Sequence, residues 1–341
     1  MTKLSIIVPV YNVEEYIRPC IESIFKQGLD DDDYEIIIIN DGTKDRSMEM
    51  ITDIINQHNN IHVINQENQG LSVARNNGIS SAEGEYILMI DSDDILIDNS
   101  LRPLLEKALE SKSDLVVADY LVMDNKEINK HKGVQQKSFS VTEKTGEQLY
   151  VEDHSPYHCF VWRTLYNRQF LQREQLKFYA GIRFQDIPFT HECYVKAKKC
   201  LKTSWLLIIY RQRPGAATAS FTKDKAKDFS IAIKKTWELR FLPLSPAVRH
   251  KLEENLWTHF TVLMCLICHQ QYDDMQRFEL IDFLKEQVPD LAFKNGKKQK
   301  LYTFLYRYYP HIFIRLRYLY AKIVEDKFLP YYHKIMNLNR R

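Results

Sequence analysis

Asp91 and Asp93 stand two residues apart, with Ser92 between them, directly after the apolar run Glu85–Ile90. At the end of a strand, side chains at this spacing share one face and can point into one pocket. A hard divalent cation such as Mg²⁺ or Mn²⁺ takes one or two carboxylate oxygens and completes its shell with phosphate oxygens. Held there, it offsets the charge that builds on a departing diphosphate. The competing reading is conformational: Ser92 or Asp94 can cap a following helix. Asp41 sits in the same way after the run Glu35–Ile39, where it can accept a hydrogen bond from a base or sugar edge. Asp41-Gly42 is equally turn chemistry. No G-x-G-x-x-G follows the first strand and no G-x-x-x-x-G-K-[ST] occurs, so a bound nucleotide must have its phosphates held by a metal and side chains.

The elements that must position these residues are legible from hydrophobic periodicity. Leu4–Val10 is a continuous β-branched run, as in a strand buried on both faces, and Glu35–Ile39, Ile61–Ile64, Glu85–Ile90 and Leu115–Tyr120 read as further strands. Between them, helical spacing predicts helices around residues 16–25, 48–55, 71–81 and 101–109. Strand–helix alternation of this kind implies an α/β fold with a mostly parallel sheet. Tyr11-Asn12, Asp41-Gly42 and Asp91–Asp94 all fall at carboxyl ends of strands, where open α/β sheets bind ligands. Residues 125–144 are polar and read as a loop or edge hairpin. Apolar runs return at Trp162–Leu165 and Trp205–Tyr210, and the chain turns helical after Pro214-Gly215.

The length of 341 residues suits one large domain with an appendage. The net charge of +2 conceals a basic end: from Lys294 onward there are twelve Lys and Arg against Glu325 and Asp326. Together with its Tyr, Phe and Leu residues, this end reads as an interfacial helix for an anionic membrane surface, a helix packed on the catalytic domain, or a homodimer contact. Six scattered cysteines imply no disulfide framework and fit a reducing compartment. Cys265 and Cys268 have zinc-like spacing without a second pair, and His158 and His191 have no partner spacing that argues for a metal. The start of the chain carries no signal-peptide pattern, and no apolar run reaches the roughly 20 residues of a membrane span. The expected location is cytoplasmic, soluble or peripheral on the inner face of the membrane. No nucleic-acid module is recognisable, so nucleic acid is not an expected partner.

Four motifs occur in order at matching intervals: Ser5-Ile-Ile-Val-Pro-Val-Tyr-Asn12, Asn40-Asp-Gly-Thr-Lys-Asp45, Asn68-Gln-Gly-Leu-Ser-Val-Ala-Arg-Asn-Asn-Gly78 and Asp91-Ser-Asp-Asp94. Together they resemble the inverting glycosyltransferases of family 2, of the GT-A fold and of bacterial polysaccharide type. The resemblance implies a catalytic domain over 1–222, with a nucleotide-sugar half (1–120) and an acceptor half (121–222), followed by a helical region over 223–341. It implies a base pocket of Pro9, Tyr11 and Asp41, with Glu14 near the ribose and Arg75 beside the base or ribose. Asp91 and Ser92 would face ribose and sugar, and Asp93 would hold Mn²⁺ or Mg²⁺. The donor would be a UDP-sugar, and the acceptor a glycan or lipid-linked glycan of the cell envelope. The family's general base is the Asp of a Glu-Asp pair; the matching stretch here is Gln185-Asp186, so Asp186 is the expected base, with Glu192 as the fallback. Gln185 departs from the family pattern. Arg211 and Arg213 follow the apolar run Trp205–Tyr210 and are expected to close on the diphosphate. A nucleotidyltransferase, which usually carries a glycine-rich loop after its first strand, and a non-catalytic sugar-nucleotide-binding protein are the alternatives.

Overall fold

The computed structural model describes residues 2–319 apart from 131, 132, 135, 137, 138, 214–221, 270 and 271. The chain forms two compact units. One comprises residues 1–152, 160–181 and 193–214; the other comprises 153–159, 182–192 and 215–341. The units therefore do not follow a single cut at residue 222.

In the first unit, β1 (Leu4–Val10), β2 (Tyr34–Asn40), β3 (Ile61–Asn65) and β4 (Tyr86–Met89) alternate with α1 (Ile17–Ile24), α2 (Thr52–Gln57) and α3 (Leu71–Ser81). Then come β5 (Ile95–Leu96), α4 (Leu101–Ser111), β6 (Leu115–Asp124), α5 (Asn125–Lys130), β7 (Val141–Lys144), α6 (Gly146–Gln148), β8 (Thr164–Asn167), α7 (Arg168–Arg173), α8 (Asp186–Lys196, of which residues 186–192 belong to the second unit) and β9 (Cys200–Gln212). The sheet order is β3-β2-β1-β4-β8-β6-β9-β5, with β7 paired to β9. The four strands at the start of this order are mutually parallel, and β1 and β4 are buried along their whole length, as their unbroken apolar runs require. The rest is mixed: β8 pairs antiparallel with β4 and β6, β9 runs parallel to β6, and β5 and β7 pair antiparallel with β9.

The register brings the polar strand ends together. Val10 pairs with Asn40, and Asp41 N–H donates to Val10 O (3.1 Å), so Tyr11 and Asp41 emerge side by side. Ile90 N–H donates to Ile7 O (2.9 Å), and β4 has ended at Met89. Pro9 therefore lies beyond the last β1–β4 partner, where its missing N–H interrupts no bond to β4. Gly78 lets α3 approach β1 closely, since a Cβ there would lie 2.4 Å from Ile7 Cγ2. That contact fixes Arg75, one turn earlier on the same helix.

The polar stretch 125–144 differs from a plain loop at both ends. Asp124 Oδ1 accepts the N–H groups of Lys126 (2.9 Å) and Glu127 (2.8 Å), and Glu127 Oε2 accepts Asp124 N–H (2.8 Å), which starts α5. Its far end is the edge strand β7.

In the second unit, α9 (Lys223–Glu238) packs on α10 (Pro246–His269) and α11 (Asp274–Gln287), and α12 (Lys297–Tyr308) follows. Thr222 caps α9, and an Asp273/Gln276 capping box starts α11. Trp257, Phe260, Phe293, Tyr306 and Phe313 form an aromatic cluster in its core. Among the described residues no helix is long and apolar enough to cross a membrane.

Candidate functional site

The loop after β4 does not cap a helix. Asp94 N–H turns back to Asp91 O (3.0 Å), β5 follows at once, and α4 begins only at Leu101. The capping reading of Ser92 and Asp94 is thereby set aside. Asp91 and Asp93 each meet a guanidinium instead, and Asp94 meets a backbone N–H. Arg75, itself buried, donates through Nη2 to Asp91 Oδ1 and lies over the Phe178 ring (5.3 Å to its centroid). Arg213 Nε donates to Asp93 Oδ2 at 2.6 Å. Arg211 N–H donates to Asp94 Oδ1 (2.8 Å), and its guanidinium reaches Asp93 O (2.7 Å) and Asn125 Oδ1 (2.7 Å). Both guanidiniums lie over the Tyr16 ring, at 5.2 Å for Arg211 and 4.8 Å for Arg213. Ser92 is buried between the two outer acids of the pair.

The electrostatics of this cluster suit a cation. Burial, and then the Asp91 carboxylate, pushes the Asp93 carboxyl above its usual range although Arg213 pulls the other way. Burial followed by Asp93 and Asp91 pushes Asp94 well above it. Oδ2 of Asp94 is buried without a hydrogen-bond partner. Burial and the neighbouring carboxylates both disfavour the ionised form, and a cation among them would offset both. Asp91 and Asp93 offer the oxygens a hard divalent cation prefers, so the donor set fits Mg²⁺ or Mn²⁺.

Asp41 is buried and already engaged. Its oxygens accept from Gln66 Nε2 (2.7 Å), Gln69 N–H (2.9 Å) and Gly70 N–H (3.0 Å), which leaves about one of the four lone-pair sites of a carboxylate. It thus fixes the loop that leads into α3. Gly42 beside it takes a φ of 65°, and a Cβ there would lie 2.9 Å from Asn68 N. Tyr11 is 42% exposed at the strand end, while Pro9 is buried. Glu14 Oε2 accepts Arg46 N–H (2.9 Å), and Glu14 N–H donates to Asp45 Oδ2 (2.9 Å). In this state Glu14 braces the loop from Thr43 to Ser47.

Asp186 belongs to the second unit, as the first residue of α8. The turn before it is strained: Phe184 has a φ of 61°, unusual for an aromatic residue, and its ring stacks on Phe229 at 4.8 Å. Arg183 on the other side donates to Asp228 Oδ2 through both its N–H and its guanidinium (3.2 Å each). Gln185 is buried, and its Oε1 takes no hydrogen bond. A Glu at this position would bury a charge with no donor facing that oxygen, so the departure from the family pair has a physical reason. Glu192 lies on α8, half-buried.

Sequence reasoning missed three parts of the site: the role of Asp94 as anchor for Arg211, the Tyr16 ring beneath both arginines, and Phe178 against Arg75. Asp94 was visible in its motif; Tyr16 was legible only as a residue at helical spacing, and Phe178 carried no local signal.

Strand-end acids, a parallel nucleotide half and no glycine cradle together define a nucleotide-sugar transferase of the GT-A type. Residues 5–173 match the family described as Glycosyl transferase family 2. The chain is 32% identical over 316 residues to the glycosyltransferase GlyG of Streptococcus pneumoniae serotype 4 (strain ATCC BAA-334 / TIGR4), a match that covers 86% of this chain and 98% of GlyG. It is 36% identical over 217 residues to the glycosyltransferase EpsJ of Bacillus subtilis (strain 168), covering 63% of this chain and 62% of EpsJ. The crystal structure of S. aureus TarS 1–349 in complex with UDP-GlcNAc superposes with a TM-score of 0.72 at 19% identity, covering 96% of this chain and 92% of that one. The chain belongs to glycosyltransferase family 2, and it is a glycosyltransferase of the GT-A fold.

Proposed function

We propose that the chain transfers a sugar from a UDP-sugar to an acceptor hydroxyl with inversion, the acceptor being a glycan or lipid-linked glycan of a surface polysaccharide. The observation that carries this reading is the acid cluster at the end of β4, in which Asp91, Asp93 and Asp94 are each held by an arginine. In this reading Pro9, Tyr11 and Asp41 bind the uracil, with Glu14 and Arg75 at the ribose. Asp91 and Ser92 orient ribose and sugar. Asp93, with Asp91, holds the divalent cation, whose chemistry is to neutralise the diphosphate as it leaves. Arg213 and Arg211 supply further positive charge to the same oxygens, Arg213 by exchanging its Asp93 partner for phosphate. Asp186 takes the acceptor proton as the hydroxyl oxygen attacks the anomeric carbon and the bond to UDP breaks on the opposite face. Positioning and fixed charge supply most of the rate. The relation to a protein crystallised with UDP-GlcNAc supports the choice of nucleotide, and a relative of Bacillus spizizenii (strain ATCC 23059 / NRRL B-14472 / W23) named poly(ribitol-phosphate) beta-glucosyltransferase supports a surface-polymer acceptor.

The test is UDP release from a panel of UDP-sugars and acceptors with Mn²⁺ or Mg²⁺, run beside Asp186→Asn. Expected are metal-dependent release by the wild type and its loss by at least about 100-fold in the variant, with UDP-sugar binding by calorimetry retained. Full activity in Asp186→Asn removes Asp186 as base. UDP binding without turnover of any donor favours the non-catalytic sugar-nucleotide-binding protein.

A further inference from the structure

Three imidazoles and a thiol converge in the interior of the helical unit. His154 and Cys159 come from the segment 153–159, His191 from α8 and His259 from α10. All four are buried, none more than 5% exposed. One ligand atom from each of His154, Cys159 and His191 lies within 4.8 Å of the other two. Nε2 of His191 is 3.3 Å from Nε2 of His154 and 3.4 Å from Nε2 of His259.

These distances are hard to reconcile with hydrogen bonding alone. A neutral ring nitrogen carries one proton or one lone pair, so it forms one strong hydrogen bond. Nε2 of His191 has two ring nitrogens at hydrogen-bond distance, and only one of them can be served well. A metal can take the His154 contact. Two nitrogens about 2.0–2.1 Å from one zinc ion stand about 3.3–3.4 Å apart, the spacing of the His154 and His191 Nε2 atoms. Imidazole and thiolate together select zinc over the hard cations that suit Asp91 and Asp93.

We propose that His154, Cys159 and His191 bind a zinc ion within the helical unit, with a water as the fourth ligand. On binding, the Cys159 thiol gives up its proton to solvent as the sulfur–zinc bond forms; the histidines bind as neutral imidazoles, so one proton is released per ion. The ion ties the segment 153–159 to α8. It would also fix the first turns of α8, where Asp186 lies five residues before His191. The site itself does not depend on Asp186 being the base.

The test uses the full chain, freed of any histidine tag and purified without added metal or chelator. Elemental analysis by mass spectrometry is expected to find about one zinc per chain, with the content lost in Cys159→Ser and in His191→Ala. Because either variant can fail to fold, the wild type is also stripped and titrated with Co²⁺. Expected are the visible bands of tetrahedral cobalt and a near-ultraviolet thiolate-to-cobalt band that saturates at about one equivalent. The Asp91/Asp93 site offers no sulfur and cannot give that band, so the readout is independent of the transfer reaction. Absence of both zinc and the thiolate band in the wild type overturns the proposal. Persistence of the band in folded Cys159→Ser overturns it too, because the sulfur would then come from another cysteine.

Discussion

Arg213 faces two roles that exclude each other. In the donor-free chain its Nε holds Asp93 Oδ2 at 2.6 Å, the carboxylate proposed to hold the cation. With donor present, the same guanidinium is proposed to move to the diphosphate. If so, Arg213 competes with metal until the nucleotide arrives, and metal and donor bind cooperatively. Arg213→Ala should tighten Mn²⁺ binding to the donor-free chain by about 5–10-fold, the effect of removing one charge-assisted hydrogen bond of about 1–1.5 kcal/mol. It should also raise the KM for the donor. Calorimetric Mn²⁺ titration reads the first effect. Unchanged or weaker Mn²⁺ binding in the variant would show that Arg213 does not occupy the metal's place. Asp91, Asp93 and Arg213 were all legible as residue types at strand ends. Their pairing was not, because the partners lie 120 residues apart for Asp93 and Arg213 and only the β6–β9 and β5–β9 pairings bring β9 to the acid loop.

At the scale of elements, the Asp45 carboxylate gathers several of the hydrogen bonds that hold the loop between β2 and α2. Asp45 accepts from the Thr43 hydroxyl (2.7 Å), from Ser47 N–H (3.1 Å) and hydroxyl, and from Glu14 N–H (2.9 Å). Burial pushes its carboxyl up, but the Ser47 and Thr43 hydroxyls and the two N–H groups outweigh that and leave it below its usual range. A carboxyl whose folded pKa is depressed stabilises the fold above its unfolded value of about 3.9, and that stability is lost as pH falls through the folded value. Asp45→Asn should therefore lower stability at neutral pH by about 1 kcal/mol, a modest figure because the group is partly exposed. The gap to the wild type should close in acid. Urea denaturation of both chains at about pH 7 and about pH 3.5 checks it; a gap that widens on acidification contradicts the assignment. Elements differ in how far sequence discloses them. The strands β1, β2 and β4 follow from their own apolar runs, which are buried almost throughout, whereas the helix Leu71–Ser81 buries Ser72, Ala74, Arg75 and Gly78 and packs through small residues. The two-residue β5 and the edge strand β7 are too short for a pattern and owe their form to β9. The His154, Cys159 and His191 cluster is a case of the same kind: no spacing in the chain announces it, because one ligand comes 32 residues after Cys159 on another element.

For the molecule as a whole, the basic end of the chain bears on where it works. Among the described residues, α12 and helical residues 310–319 turn Tyr306, Phe313 and Ile314 inward, and Arg317 donates to Thr261 O (3.1 Å). On one face this segment packs within the helical unit itself; residues 320–341 lie outside the described part. The other face is unlike an ordinary surface. Leu301, Phe304 and Tyr308 are exposed at helical spacing, and Tyr309, Ile312, Leu316 and Leu319 continue the stripe. Exposed apolar stripes of this extent mark interaction sites. Lys297, Lys298, Lys300, Arg307 and Arg315 lie in the same segment, and each basic residue at an anionic bilayer contributes about 1 kcal/mol. An enzyme with a lipid-linked acceptor has a use for such a face on the cytoplasmic side of a membrane. The full chain is expected to float with vesicles containing phosphatidylglycerol and not with neutral phosphatidylcholine. Raising salt from about 0.1 M to about 1 M, which shortens the Debye length from about 10 Å to about 3 Å, should weaken the binding severalfold. Phe304→Glu with Leu316→Glu places two charges on the stripe while leaving the inward residues in place, and should abolish flotation without unfolding the helical unit. Equal flotation of wild type and double variant would assign the binding to another surface, and no flotation of the wild type on anionic vesicles would leave the stripe to a protein contact, such as a second copy of the chain.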